Sequence, residues 1–309
     1  MKQIAICIVS LVLAACIPVA ARQSPAPNDK LAEIEARGTL VIATDASYMP
    51  QSKLIEGSRQ RAGTKCESTQ YSSNQFEGFD AEVAVEIANY LGVEPCFVTP
   101  PWSQLVAGHW GDNWDIHVGS VAITYDRIQD LYFTSPYYAT PTVLLVHAEN
   151  TSFHTAEDLS GKRIGACVAC TFESYLNGTL QIPGEDIQFR IRDAQVVAYE
   201  NEDPAIEDLS LGDGVKLDAV MTIWPKAHAA IAAGKPIRLL DRPLLFSYAS
   251  VTLDRSASRS NQRLWENLNR IIYDLHGAGR LSELSLQYHG EDLAQEAAAY
   301  DISVLNQFP

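Results

Sequence analysis

Arg127 and Thr171 are two side chains whose chemistry suits anion binding. Arg127 ends the segment Ile-Thr-Tyr-Asp-Arg, and its planar guanidinium has donors that match both oxygens of a carboxylate. Thr171 stands where a helix is predicted to begin, and a hydroxyl beside free backbone N–H groups there favours an anion. The alternatives are a surface ion pair of Arg127 with Asp126 or Asp130, and a plain helix cap at Thr171.

Composition and spacing exclude several other kinds of chemistry. No Ser/His/Asp, Cys/His or paired-carboxylate constellation stands out, and the seven histidines lack metal-ligand spacing. The formal net charge of −15 repels phosphate backbones, and no stripe of Lys or Arg offsets it. We therefore expect neither catalysis nor a metal, a cofactor or a nucleic-acid partner.

The first residues predict export. Residues 1–15 are interpreted as a signal peptide, because a short positive start precedes an apolar run too short to span a bilayer. The run ends in Leu-Ala-Ala-Cys16, which resembles the bacterial lipobox and predicts lipidation of Cys16. Residues 16–34 are then predicted to be a tether that holds the protein at the membrane. The alternative is cleavage after Ala21, which leaves a soluble periplasmic protein.

Four cysteines remain beyond the lipobox, and an even set in an exported chain predicts disulfides. Of the three possible connectivities we favour Cys66–Cys96, which would pin an irregular insertion at residues 57–75 onto the start of a strand. Cys167 and Cys170 could form a short-loop disulfide, a redox pair or two free thiols.

Strand-like and helix-like stretches alternate along the chain, which predicts an α/β fold with mainly parallel sheets. We expect one lobe from residues 35–140 plus 247–290, a second from residues 141–246, and a polar tail at 291–309. Two crossings, near residues 139–142 and 244–249, would form a hinge.

Six segments in order resemble the polar-amino-acid class of bacterial solute-binding proteins, relatives of the lysine/arginine/ornithine-, histidine- and glutamine-binding proteins. The segments begin at residues 37, 78, 115, 161, 217 and 279. The resemblance implies a monomer with a two-lobed periplasmic-binding-protein fold (type II), closing on a small carboxylate-bearing ligand and delivering it to an ABC permease. Alternative functions are a solute sensor or accessory protein, or a cyclohexadienyl dehydratase on the same fold.

The resemblance also implies a ligand-binding site. Arg127 would bind the ligand carboxylate together with Thr171, and Ser120 and the backbone of Ala122 would bind other polar groups. The remaining implied residues surround the ligand's side chain: the aromatic residues Tyr48 and Trp102, and Asp45 near its distal end. Asp45 could also simply cap a turn.

Three positions depart from the family pattern. Ile223 stands where relatives carry an acid for the ligand's α-ammonium, so either the ligand lacks this group or another acid reaches it. Lys226 stands where the dehydratases need a glutamate, which argues against that activity. Cys170 replaces a small residue such as Gly or Ser, so the local set of hydrogen-bond donors departs from that of the relatives.

Overall fold

The computed structural model describes residues 28–308. Its helices are α1 (Lys30–Arg37), α2 (Phe79–Leu91), α3 (Trp102–Val106), α4 (Thr171–Leu176), α5 (Glu202–Leu209), α6 (Trp224–Ala232), α7 (Gln262–Gly277) and α8 (Arg280–His289). Its strands are β1 (Thr39–Ala43), β2 (Ser47–Tyr48), β3 (Ser52–Leu54), β4 (Tyr71–Ser72), β5 (Phe76–Glu77), β6 (Glu94–Val98), β7 (Ile116–Ala122), β8 (Leu131–His147), β9 (Arg163–Cys167), β10 (Gln195–Tyr199), β11 (Ala219–Ile223), β12 (Ile237–Leu239) and β13 (Leu245–Asp254).

Two lobes share one continuous sheet, in the order β10-β9-β11-β8-β13-β7-β1-β6-β4. Strands β1, β6 and β7 are parallel in lobe 1, and β9, β10 and β11 are parallel in lobe 2. The long strands β8 and β13 run antiparallel to each other from Leu245↔Thr142 to Asp254↔Leu131 and carry the chain between the lobes. The expected two-lobed α/β fold is confirmed.

Local sequence explains why α2 forms where it does. Its apolar residues recur at helical spacing, and Val83, Ala84 and Ile87 are fully buried in the lobe 1 core. Gly78 precedes the helix at φ 122°, and a Cβ there would lie 2.4 Å from the Gln51 carbonyl oxygen. Gly92 ends the helix in the left-handed conformation. These features place α2 against β7, the strand whose C-terminal end lines the cavity between the lobes.

The predicted tether extends too far into the fold. Residues 30–34 belong to helix α1, in which Leu31 and Ile34 are buried. The Asp29 side chain accepts a hydrogen bond from the Leu31 N–H, and Gly38 ends the helix. An amphipathic, capped helix packs on lobe 1 there, because capping and burial outweigh the polar composition. The signal peptide, Cys16 and the rest of the tether lie outside the described residues.

The C-terminal segment is part of the folded structure rather than a polar tail. Ala294 and Ala297 are buried, and the Leu293 carbonyl accepts a hydrogen bond from the Ala139 N–H at 2.8 Å. Near its end, the Tyr300 hydroxyl donates to the Pro183 carbonyl of lobe 2 at 3.3 Å. The segment therefore contacts both lobes.

Two disulfides are present. Cys66–Cys96 forms as predicted and ties the insertion to β6. Cys167 and Cys170 are bonded to each other across a short loop, which selects one of the three states left open by the sequence.

Candidate functional site

A cavity of about 660 Å³, counting the space at its mouth, lies between the lobes. All seven residues predicted to bind ligand line it: Asp45, Tyr48, Trp102, Ser120, Ala122, Arg127 and Thr171. Further lining residues come mainly from lobe 2: Gly119, Tyr138, Thr140, Cys167, Cys170, Phe172, Glu200, Asn201, Glu202, Ile223, Ser247 and Ala249. The fold thus brings together side chains more than 120 positions apart in the sequence, from Asp45 to Thr171.

The Arg127 guanidinium is held by backbone carbonyls. Nη1 donates to Ala122 at 3.0 Å, and Nη2 donates across the cleft to Ala169 at 2.9 Å. The guanidinium also lies 5.4 Å from the centre of the Trp102 ring. Among the described residues no carboxylate forms an ion pair with Arg127, so the predicted alternative of a surface pair with Asp126 or Asp130 is not what forms. These bonds use two of its five N–H donors, which leaves capacity for a ligand anion.

Burial acts on the charge of Arg127. Desolvation lowers the pKa of its guanidinium to about 10, and the nearby Asp126 raises it only in part. The group therefore stays cationic at neutral pH, but it carries a charge that the protein leaves poorly compensated. An anion bound beside it would restore the compensation.

Thr171 is the first residue of α4 and is buried, but it is not the helix cap. Cys170 holds the N-cap position, and the Glu173 carboxylate accepts from the Ala169 N–H at 2.9 Å. The Cys167–Cys170 disulfide closes the loop that contains Ala169, the residue that binds Arg127. This loop therefore links the lobe 2 wall of the cavity to the arginine of lobe 1.

The two aromatic residues each lie beside a cation of the protein. The Arg127 guanidinium lies over the Trp102 ring, and Lys226 Nζ lies 4.7 Å from the ring centre of Tyr48. The Tyr48 hydroxyl donates across the cleft to Glu202 Oε1 at 3.1 Å. Tyr48 is thus a bridge between the lobes as well as a wall of the cavity.

Sequence reasoning missed Glu202, the first residue of α5. It is buried, and burial raises the pKa of its carboxyl, while the Lys226 charge opposes that rise. Lys226 is also buried and pairs with Asp203 at 2.7 Å. The acids Glu200, Glu202 and Asp203, which run from the end of β10 into the start of α5, were the available signal, but their approach to Tyr48 depends on the fold. Glu202 supplies an acid in the cavity that Ile223 does not.

Asp45 and Ile223 have simple local roles. Asp45 Oδ1 accepts from the Ser47 N–H at 2.7 Å, so the predicted turn-capping role is present although the residue also lines the cavity. Ile223 is buried at the end of β11, where it presents an apolar surface.

His117 lies in β7 directly behind Gly119, where a Cβ would come within 2.3 Å of its Nε2. Neither ring nitrogen has a hydrogen-bond partner among the described residues. Burial, aided by the Arg127 charge, lowers the pKa of His117 to about 3, so the ring is neutral at physiological pH. It adds no positive charge to the arginine part of the cavity.

Two kinds of feature are absent from residues 28–308. No helix there is long and apolar enough to span a membrane. No group of three or more His, Cys, Asp or Glu residues is placed to hold a metal ion.

The two lobes, the strand hinge and the cleft cavity define a bilobal ligand-binding protein. Residues 40–291 match the model of the bacterial extracellular solute-binding proteins, family 3, and the chain belongs to this family. The L-cystine-binding protein of Escherichia coli is 23% identical over 277 residues, which cover 88% of this chain and 91% of that protein.

Solved structures share the fold. A mutant of the arginine-binding protein of T. maritima aligns with a TM-score of 0.67 and 22% identity, over 85% of this chain and 100% of that one. An ancestral amino-acid-binding protein described as a precursor of cyclohexadienyl dehydratase aligns with a TM-score of 0.68 and 21% identity, over 84% and 100%.

Proposed function

We propose that this protein is the extracytoplasmic binding component of an ABC importer and closes on a small amino acid or derivative with both a carboxylate and a cationic group. Relatives whose names specify amino acids, including cystine and histidine, support this class. The observation that carries the proposal is that a cationic side chain, Arg127, and an acidic one, Glu202, line the same cavity.

The two charges lie in different parts of the cavity. Arg127 contacts Trp102 and the backbone of Ala122 and Ala169. Glu202 instead contacts Tyr48, and its charge contributes to raising the pKa of Tyr138. A zwitterion bound with its carboxylate at Arg127 and its ammonium toward Glu202 would complement both groups.

Binding is favoured over catalysis. Lys226 stands where the resembling dehydratases need a glutamate, and its ammonium pairs with Asp203 at 2.7 Å, so the carboxylic acid of that activity is missing at this position. We therefore propose a non-catalytic monomer that delivers its ligand to a membrane permease.

A ligand panel tests this function. Calorimetry is run with L-arginine, L-histidine and L-cystine, and with agmatine, histamine and cystamine, which lack the carboxylate. We expect at least one amino acid to bind while its decarboxylated partner does not, and small-angle scattering to show a smaller radius of gyration on binding, because closure brings the lobes together. Binding of the amines alone, or an unchanged scattering profile at saturation, would contradict the proposal.

Lipid anchoring at Cys16 is a separate proposal that rests on the Leu-Ala-Ala-Cys segment. Two or more acyl chains hold a protein stably at a membrane, so the wild type is expected in the membrane fraction. Cys16→Ala should move the mature protein to the soluble fraction, as followed by fractionation and intact mass. A wild-type protein that is already soluble and begins at Arg22 would show cleavage after Ala21 instead.

A further inference from the structure

A one-way chain of hydrogen bonds lies behind Ser120. His289 Nε2 lies 3.2 Å from Gln51 Oε1, and Gln51 Nε2 donates to the Tyr138 hydroxyl oxygen at 3.1 Å. The Tyr138 hydroxyl donates to Ser120 Oγ at 2.6 Å, and the Ser120 hydroxyl donates to Asp80 Oδ2 at 2.6 Å. The chain therefore ends at a carboxylate that only accepts while it is ionised.

A second branch ends at the other oxygen of the same carboxylate. The Ser120 N–H donates to the Tyr137 hydroxyl oxygen at 2.9 Å, and the Tyr137 hydroxyl donates to Asp80 Oδ1 at 2.8 Å. Ser120 itself has a left-handed backbone with φ 60°, a conformation that is uncommon outside glycine. Tyr137 and Asp80 thus hold both the backbone and the hydroxyl of Ser120 in one orientation.

This arrangement determines what the Ser120 hydroxyl can offer to the cavity. A serine hydroxyl has one proton and two lone pairs. The proton is taken by Asp80, and one lone pair is taken by Tyr138. Only one lone pair remains, so Ser120 Oγ can accept a hydrogen bond from a ligand but cannot donate one.

We propose that Asp80, a positioning residue outside the cavity lining, makes Ser120 Oγ a specific acceptor for an N–H donor such as a ligand ammonium group. This inference rests on the proposed binding function and assigns the ammonium-recognising side of that site to Ser120 and Glu202 together. Tyr138 connects Ser120 with Glu202, because its hydroxyl donates to Ser120 Oγ and the Glu202 charge helps to raise its pKa. The cavity thereby offers an ammonium two acceptors, neither of which is at Ile223.

The protonation state of Asp80 controls this polarity. Burial raises the pKa of Asp80 to about 7; the bonds from Ser120 and Tyr137 oppose the rise, and the Asp45 charge adds to it. When protonated, Asp80 can donate to Ser120 Oγ, which frees the serine proton to point into the cavity. Binding of an N–H donor at Ser120 is therefore expected to strengthen as the pH rises through about 7.

The titratable groups on the elements next to Asp80 are Tyr137 and Tyr138 from β8, Tyr48 from β2, His117 from β7 and His289 from α8, besides Asp45 after β1. Glu202 of α5 acts on both Tyr48 and Tyr138. The pKa of each tyrosine is raised above its usual range, and burial lowers the pKa of His117 to about 3 and that of His289 to about 4. The three tyrosines and two histidines therefore stay neutral between pH 6 and 8, the range in which Asp80 itself changes its protonation state.

Asp80→Asn is the decisive variant. The buried Tyr137 hydroxyl still needs an acceptor, so the Asn carbonyl is expected to face Tyr137 and the Asn NH₂ to face Ser120. Ser120 Oγ then accepts from the amide, and its own proton turns toward the cavity. The variant should therefore reverse the polarity of Ser120 with almost no change in volume.

Small probes test this without knowledge of the natural ligand. Methylammonium, and tetramethylammonium as an equally charged probe without N–H groups, are titrated into ¹⁵N-labelled protein between pH 6 and 8, with the Ser120 amide resonance as readout. At pH 8 methylammonium should shift this resonance in the wild type and bind about tenfold more weakly to Asp80→Asn, since a hydrogen bond to a charged group is lost. Tetramethylammonium should distinguish the two proteins far less.

Asp45→Asn is the matched control, because it removes an acid that lines the cavity without touching the bonds of Ser120. It should keep the pH dependence that Asp80 gives to methylammonium binding, shifted to lower pH because the Asp80 pKa falls. Asp80→Asn should lose this contribution and keep only the one from Glu202, whose pKa burial also raises. Equal methylammonium affinity in the wild type and Asp80→Asn, or no shift of Ser120 in the wild type at pH 8, would overturn the inference. Failure of every amino acid to bind, with these probe results intact, would count against the proposed function alone.

Discussion

Arg127→Ala is expected to weaken binding of the tightest amino acid in the panel by about 3–5 kcal/mol, which corresponds to a loss of roughly a hundredfold to a few thousandfold in affinity. The variant removes the cation that the protein leaves without a carboxylate partner and strands the ligand carboxylate in a desolvated cavity. It also removes the bond to Ala169 across the cleft, so ligand-induced closure should be reduced. Calorimetry measures the affinity, and small-angle scattering measures the closure.

Two further variants separate charge from geometry. Arg127→Lys keeps a cation but not the planar donor pair, so its affinity should lie between those of the wild type and Arg127→Ala. Arg192→Ala removes an exposed arginine of lobe 2 and should leave the affinity unchanged. If Arg127→Ala binds the amino acid within about threefold of the wild type, which is less than 1 kcal/mol, the carboxylate is bound elsewhere.

Some of this architecture was predictable because it depends on patterns of residues that are close together in the sequence. The apolar spacing of residues 79–91, followed by Gly92, predicts α2 with the bounds that the structure gives. The place of Arg127 in the cavity follows the resemblance of its segment to the family, and Cys66–Cys96 was predictable from its place beside the insertion. Helix α1 was missed because its short amphipathic pattern directly follows a proline-rich stretch that resembles a linker.

The acidic part of the cavity could not be predicted in the same way. The sequence shows that Ile223 lacks a carboxylate, but only the parallel order of β9, β10 and β11 brings the start of α5 to the cleft. The same holds for Asp80, whose segment marks the family, while its contact with Ser120 depends on how α2 packs behind β7. Proximity between elements is set by topology, which residue spacing alone does not specify.

Glu202→Gln is expected to weaken binding of the same amino acid by about 3–5 kcal/mol, because it strands a ligand ammonium in the cavity without its charged partner. The amide keeps the volume and can still accept from the Tyr48 hydroxyl, so the link between the lobes is retained. Binding of the matching deaminated acid, which keeps the carboxylate, should change little. A binding protein that used Ile223 and its neighbours for the ammonium would show no such difference between the two ligands.

Tyr48→Phe is the control for the link between the lobes. It removes the hydrogen bond to Glu202 and keeps the carboxylate, so it should cost only about 1 kcal/mol of binding free energy for either ligand.

The thermal stability of Glu202→Gln gives an independent check. Burial raises the pKa of Glu202, so the folded state loses stability as the pH rises through that raised value. Glu202→Gln should therefore unfold at the same or a higher temperature than the wild type at pH 8, and a large fall in melting temperature would mean that Glu202 holds the fold together rather than the ligand.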